Sequence, residues 1–213
     1  MTQLRFEVLD IHAQRYAVVP ILQVRVRIQE NTGERVHAML LRAQVRIDAQ
    51  RRHYDETERT GLADLFGEPS RWGRTLKPFL WTHCAAAVPG FQETTEVELP
   101  IPATYDFECT AAKYLHTLGT GEVPLSLSFA GTVFVRGTSG FGVEQIAWHH
   151  DVEHRMPVEV WHALIAEHYP DTGWIRLRHD TVAALHRFKA ERGLLDLDEA
   201  CTTLLARSQA HAP

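Results

Sequence analysis

The sequence has 213 residues, 45% of them hydrophobic and 23% charged, with a formal net charge of −5. These are ordinary values for a globular chain, long enough for one domain with an appendage or for two small ones. The acidic balance without any basic run argues against a nucleic-acid partner, and no apolar run approaches the ~20 residues of a membrane-spanning helix.

Residues 4–10 alternate weakly (Leu4, Phe6, Val8) and suggest a short first strand. The cleanest signal follows at 18–49. Leu22, Val24, Val26 and Ile28 alternate with Gln23, Arg25, Arg27 and Gln29, the period of a half-buried strand. Asn31-Thr32-Gly33-Glu34 reads as a turn. Met39, Leu41, Ala43, Val45 and Ile47 then alternate with Arg42, Gln44 and Arg46. Read as an antiparallel hairpin with a four-residue loop, this places Val24 opposite Leu41 with both side chains buried. It also places Arg25, Arg27, Arg42 and Arg46 on one outer face, either as a solvated charged surface or as a contact for an acidic partner. Glu96 and Glu98 would pair with them if their strand is adjacent.

Residues 53–78 are rich in Gly and Pro and read as a long connection with a short helix near 58–66. Strands are expected at 79–88 and 91–99, with Pro100 and Pro102 placing Ile101 at an edge or bend. Residues 104–118 read as a strand that becomes irregular near Ala111-Ala112, with Asp106 and Glu108 as exposed partners for arginines. Residues 123–136 and 143–149 are further strands.

After Asp151 the period changes to that of a helix. Val160, Trp161, Leu164, Ile165 and His168 form one stripe behind Pro157, and Pro170 stops it. Asp180 is the expected N-cap of a helix over 181–192 that ends at Gly193. Asp196 and Glu199 have the spacing of a capping box for a last helix. The expected fold is α+β: an antiparallel β-sandwich of seven or eight strands over 1–151, then a C-terminal segment of three helices over 152–213 packed on it.

Several passages from residue 79 onward carry a family resemblance: Glu98-Leu99-Pro100-Ile101-Pro102-Ala103-Thr104-Tyr105-Asp106-Phe107-Glu108, Gly121-Glu122-Val123-Pro124-Leu125, Met156-Pro157-Val158-Glu159-Val160-Trp161, Tyr169-Pro170, Trp174-Ile175-Arg176-Leu177-Arg178-His179-Asp180 and Phe188-Lys189-Ala190-Glu191-Arg192-Gly193-Leu194. Together they resemble an uncharacterised, mainly actinobacterial family, a domain of unknown function. The resemblance implies a genomic neighbourhood of nickel–iron uptake hydrogenases and an accessory role in their assembly. It implies no catalytic residues.

The densest group of potential ligands is His149-His150-Asp151-Val152-Glu153-His154. No single backbone conformation converges His149, His150 and His154, whereas structural metal sites need three or four convergent ligands, so no metal or other cofactor is expected. The segment reads instead as a polar strand-to-helix connection. Ser126, Ser128 and Ser139 lack the G-x-S-x-G context of a hydrolase, and neither a Walker lysine nor G-x-G-x-x-G is present. Cys84, Cys109 and Cys201 fit neither a disulfide framework nor a metal motif and read as buried thiols. With no apolar leader at the start, the chain is expected to be soluble and cytoplasmic. Tyr169 and Trp174 flank a loop between helices and are candidates for contact with a partner protein. The leading expectation is a non-enzymatic accessory or interaction protein. The alternative is a small-ligand-binding sandwich with its pocket under the connection over 51–78, and an enzyme of unrecognised type comes third.

Overall fold

Strands β1 (Leu4–Ala13), β2 (Ile21–Glu30), β3 (Val36–Ile47), β4 (Phe79–Phe91) and β5 (Thr94–Pro102) are followed by β6 (Glu122–Gly137), β7 (Gly140–Gln145) and β8 (His150–Pro157). Helices α1 (Glu56–Phe66), α2 (Trp72–Thr75) and α3 (Thr110–Thr117) lie between strands, and α4 (Val158–His168), α5 (His179–Arg192) and α6 (Leu197–Ala210) close the order. The structure is a computed structural model that describes residues 2–103, 110–137, 140–147, 150–170, 172 and 176–210. Two antiparallel sheets face each other. One has the order β1-β2-β5 and the other β4-β3-β6-β7, with β8 also paired to β6. This is the expected α+β sandwich.

The hairpin expected at 18–49 is not formed. β2 pairs with β1 and β5, β3 pairs with β4 and β6, and the two strands belong to opposite sheets. Val24 and Leu41 are both buried, as alternation requires, but Val24 is beside Leu99 while Leu41 is between Ala86 and Gly131. The cause lies at the end of β2. The Glu30 carboxylate accepts from the backbone N–H groups of Gln3, Thr32 and Glu34 and from the Thr32 hydroxyl at 2.6 Å. Those donors are drawn around Glu30 rather than into a ladder, so the chain crosses from one sheet to the other.

The core lies between the sheets. Leu22, Val24, Val26 and Ile28 of β2 face Met39, Leu41, Val45 and Ile47 of β3 and Leu125, Leu127 and Phe129 of β6, all with at most 1% exposure. Pro100 and Pro102 fall on β5, an edge strand, where a missing N–H costs no ladder bond. Buried Ile101 pairs with Leu22.

Two further readings are corrected. Residues 110–117 are helical, because Ala111, Ala112, Tyr114, Leu115 and Leu118 recur at helical spacing and are all buried; residues 104–109, with Asp106 and Glu108, lie outside the described residues. The segment after His149 is not a connection but strand β8, which extends the sheet along the first half of β6. β7 takes the second half, and Gly131 sits at the handover, with its carbonyl accepting from Ile146 N at 2.9 Å.

By its contacts the chain forms two compact units, Met1–Trp174 and Ile175–Pro213. Within the first, α4 buries Val158, Trp161, Leu164 and Ile165 and packs on β1, β8 and α3. In the second, α5 and α6 pack as a pair. Gly193 ends α5 in a left-handed conformation, and Asp196 caps α6 by accepting from Glu199 N at 2.8 Å. The Glu199 carboxylate in turn accepts from Leu195 N. Among the described residues no helix is long and apolar enough to cross a membrane.

Candidate functional site

The connection from β3 to β4 carries the most specific polar geometry in the protein. Asp48 follows β3, is buried, and accepts from the Ser126 hydroxyl at 3.3 Å. Burial pushes its carboxyl above the ordinary range, while the Ser126 bond and Arg51 act in the opposite direction. Arg52 then turns inward, with only 8% of its side chain exposed. Its guanidinium donates to Glu122 O at 2.7 Å, to Thr120 O, and to Glu58 Oε1 at 2.6 Å. Its Nε is buried without an acceptor among the described residues. Glu58 also accepts from Gly119 N and from Asp55 N, and Asp55 accepts from Glu58 N at 2.8 Å. Asp55 and Glu58 thus form the capping box that starts α1. One arginine joins the start of α1 to the turn before β6.

Next to this pair lies an aromatic cluster. The Tyr54 hydroxyl donates to Ala49 O at 2.6 Å, so in its 2.8 Å contact with Tyr114 the Tyr114 hydroxyl is the donor. Burial raises the Tyr54 hydroxyl to about 12 and raises that of Tyr114 as well. Trp72 meets Tyr54 edge-on at 5.3 Å and Phe66 at 5.7 Å, and its Nε1 donates to Gly67 O.

Two recesses open on either side of Arg52 and His53. The more polar, about 540 Å³, is walled by Arg51, Asp55, Glu58, Glu122 and Arg155. Its charges are matched internally: Arg52 with Glu58, Arg155 with Glu122 at 3.6 Å, and Arg51 with nearby Glu153. The other, about 380 Å³, is walled by Tyr54, Trp72 and Leu76 with Arg52, His53 and Arg59. It contains no acidic lining residue. A larger depression of about 710 Å³ runs along α6, but α6 and the two residues before it supply all of its walls.

The sequence candidates are dispersed. Arg25 and Arg27 lie on the outer face of the β1-β2-β5 sheet and Arg42 and Arg46 on that of the other sheet, so they do not share a face. The error follows from the hairpin: strands assigned to one sheet in fact lie in two. Glu96 and Glu98 do stand opposite Arg27 and Arg25, and Glu96 bonds Arg27 at 3.0 Å. His150 and His154 lie on the inward side of β8, His150 against Phe6. Burial holds His154 below the ordinary histidine range, with Asp10 and Glu122 opposing. Among the described residues no three His, Cys, Asp or Glu converge as metal ligands. His149 and Trp174 lie outside the described residues, and Tyr169 ends α4, partly buried against the core. Burial raises the Cys84 thiol to about 11.

The whole sequence, residues 1–213, matches DUF6084, a family of unknown function. The chain belongs to this family. No curated protein matches it. Among solved structures it is similar to parts of three β-glucosidases. For the enzyme from Kluyveromyces marxianus the identity is 9%, over 73% of this chain and 15% of that one, with a TM-score of 0.26. For the enzyme from Paenibacillus barengoltzii it is 13%, over 74% and 15%, with a TM-score of 0.28. For β-glucosidase 3B from Thermotoga neapolitana in complex with α-D-glucose it is 15%, over 72% and 17%, with a TM-score of 0.26. The DUF6084 chain spans about a sixth of the length of these enzymes, and superpositions this loose carry no functional argument.

Proposed function

We propose that this DUF6084 protein is a non-enzymatic accessory protein of the cytoplasm that acts by binding another protein. The observation that carries this reading is the loop between β1 and β2. Tyr16 and Val18 are 96% and 97% exposed, and Val19 is 55% exposed. Three large apolar residues within four positions form a patch, which isolated exposed side chains do not. The loop is also held in shape. Gln14 N donates to Ile21 O at 2.8 Å, Gln23 donates to the Gln14 side chain, and a His168 ring nitrogen lies 3.2 Å from Ala17 O. A projecting, pre-ordered aromatic and aliphatic tip suits a pocket on a partner, because little entropy is lost on docking. The sequence resemblance supplies the partner class, a component of nickel–iron hydrogenase assembly.

The test is affinity capture from native cells with the wild-type chain and with a Tyr16→Ser, Val18→Asp, Val19→Asp variant. These side chains are exposed, so the variant keeps the fold. Capture of hydrogenase components by the wild type and its loss in the variant is the expected result. Equal capture by both would remove the loop from the reading, and wild-type capture lacking hydrogenase components would remove the assembly role.

A further inference from the structure

The groove between the 52–59 segment and α2 supports a second binding activity, independent of the exposed loop. We propose that it binds a small aromatic carboxylate. Its volume, about 380 Å³, lies within the range of ligand pockets, ~300–1,000 Å³. Its walls divide by chemistry. Trp72, Tyr54 and Leu76 supply a mostly buried apolar side, and Arg59, His53 and Arg52 supply a cationic side.

The apolar side is fixed in place by the Tyr54–Ala49 and Tyr54–Tyr114 hydrogen bonds and by the bond from Trp72 Nε1 to Gly67 O. The groove is therefore formed before any ligand arrives, which lowers the entropy lost on binding.

Charge decides the polar end of the ligand. Arg52 already faces Glu58, and its buried Nε–H has no acceptor among the described residues. Arg59 has no side-chain hydrogen bond or ion pair among the described residues, and neither has His53. One uncompensated guanidinium beside an apolar wall suits a monoanion, and its planar fork matches a carboxylate. A phosphate monoester would bring about two charges to one unpaired cation. A flat ring lies against the indole and Leu76, and the carboxylate pairs with Arg59.

The test is calorimetric titration of the full chain with 2-naphthoate and with its neutral analogue 2-naphthalenemethanol. Saturable binding of the acid is expected, with the alcohol weaker by roughly tenfold. Arg59→Gln should weaken the acid by a similar factor and leave the alcohol unchanged. Gly73 lines the groove, and nothing lies within 4 Å of a Cβ added there, so Gly73→Leu fills the space without disturbing α2. That variant should bind neither compound while keeping the wild-type Tm. No heat with the acid at millimolar concentration overturns the proposal. So does equal affinity for acid and alcohol, an unchanged affinity in Arg59→Gln, or unchanged binding in Gly73→Leu.

Discussion

The Arg52 guanidinium meets the Glu58 carboxylate at 2.6 Å with both side chains more than nine-tenths buried. Removing one member leaves the other charge uncompensated in a poorly solvated site. Glu58→Gln should therefore destabilise the chain by about 3 kcal/mol in urea unfolding. Glu96→Gln is the control. Its salt bridge to Arg27 has 37% and 43% of the side chains exposed, and its loss should cost less than ~1 kcal/mol. Similar losses for the two variants would contradict this ranking.

Gly131 is at φ +151°, and a Cβ added there would lie 2.0 Å from Leu40 O. That oxygen belongs to the backbone of β3, so it cannot turn away. Gly131→Ala should cost more than ~3 kcal/mol or leave the chain insoluble, measured as Tm and soluble yield. Gly140, at φ +137° with open space around it, should lose only the backbone-strain part, about 1–3 kcal/mol, on replacement by Ala. A Gly131→Ala protein with wild-type Tm would refute the close approach.

Alkaline pH should weaken the fold. Tyr54 has its hydroxyl raised from 10 to about 12 by burial, and Tyr114 is raised too. Between these values the folded chain holds protons that the unfolded chain has lost. The tyrosine contribution is thus complete below about pH 10 and falls as pH rises toward 12, by ~1.4 kcal/mol per pH unit for each tyrosine. The buried Cys84 thiol, raised from 9 to about 11, adds a slope of its own from pH 9, so urea midpoints at pH 9, 10 and 11 are taken in a Cys84→Ala background, where Tyr54→Phe should halve the slope. A midpoint constant from pH 9 to 11 in that background would show that neither hydroxyl is protected by the fold.

A chain stopped after Asp151 should aggregate. It loses most of β8, whose residues Val152 to Pro157 pair with Leu127 to Glu122 of β6, and it loses α4 with buried Trp161 and Leu164. Half of a long strand becomes an unpaired edge. Soluble yield and a single cooperative unfolding transition are the measurements, and finding both at wild-type values would show that β6 does not need β8.

The strands were legible because alternation reports which side of a strand is buried. It does not report the partner, and this is where Val24 and Leu41 were misplaced. Both face the core, but from opposite sheets, because the Glu30 carboxylate collects the backbone donors that a turn would have used. Tyr114 was readable in principle, since Ala111, Leu115 and Leu118 stand at helical spacing around it. Arg52 was not: its acceptors, Thr120 O and Glu122 O, are backbone atoms on a turn far along the chain, and no pattern near Arg52 announces them. The Asp55–Glu58 capping spacing was a local signal for the start of α1.

The crossing at residues 31–35 also governs the timing of assembly. A hairpin there would have closed as soon as it was synthesised. Instead β2 closes back on β1, with Val24 beside Ile11, while Val36 of β3 waits for Phe91 of β4 and then for Val135 of β6. At ribosomal rates of about 5–20 residues per second, β3 has β4 but lacks its β6 partner until on the order of 5–20 s after its own synthesis. Through that interval each sheet is incomplete, the first without β5 and then the second without β6, and their apolar faces have only each other for cover. The second sheet is thus completed late, and slower translation between β3 and β6 should lengthen the time its apolar face stays partly uncovered.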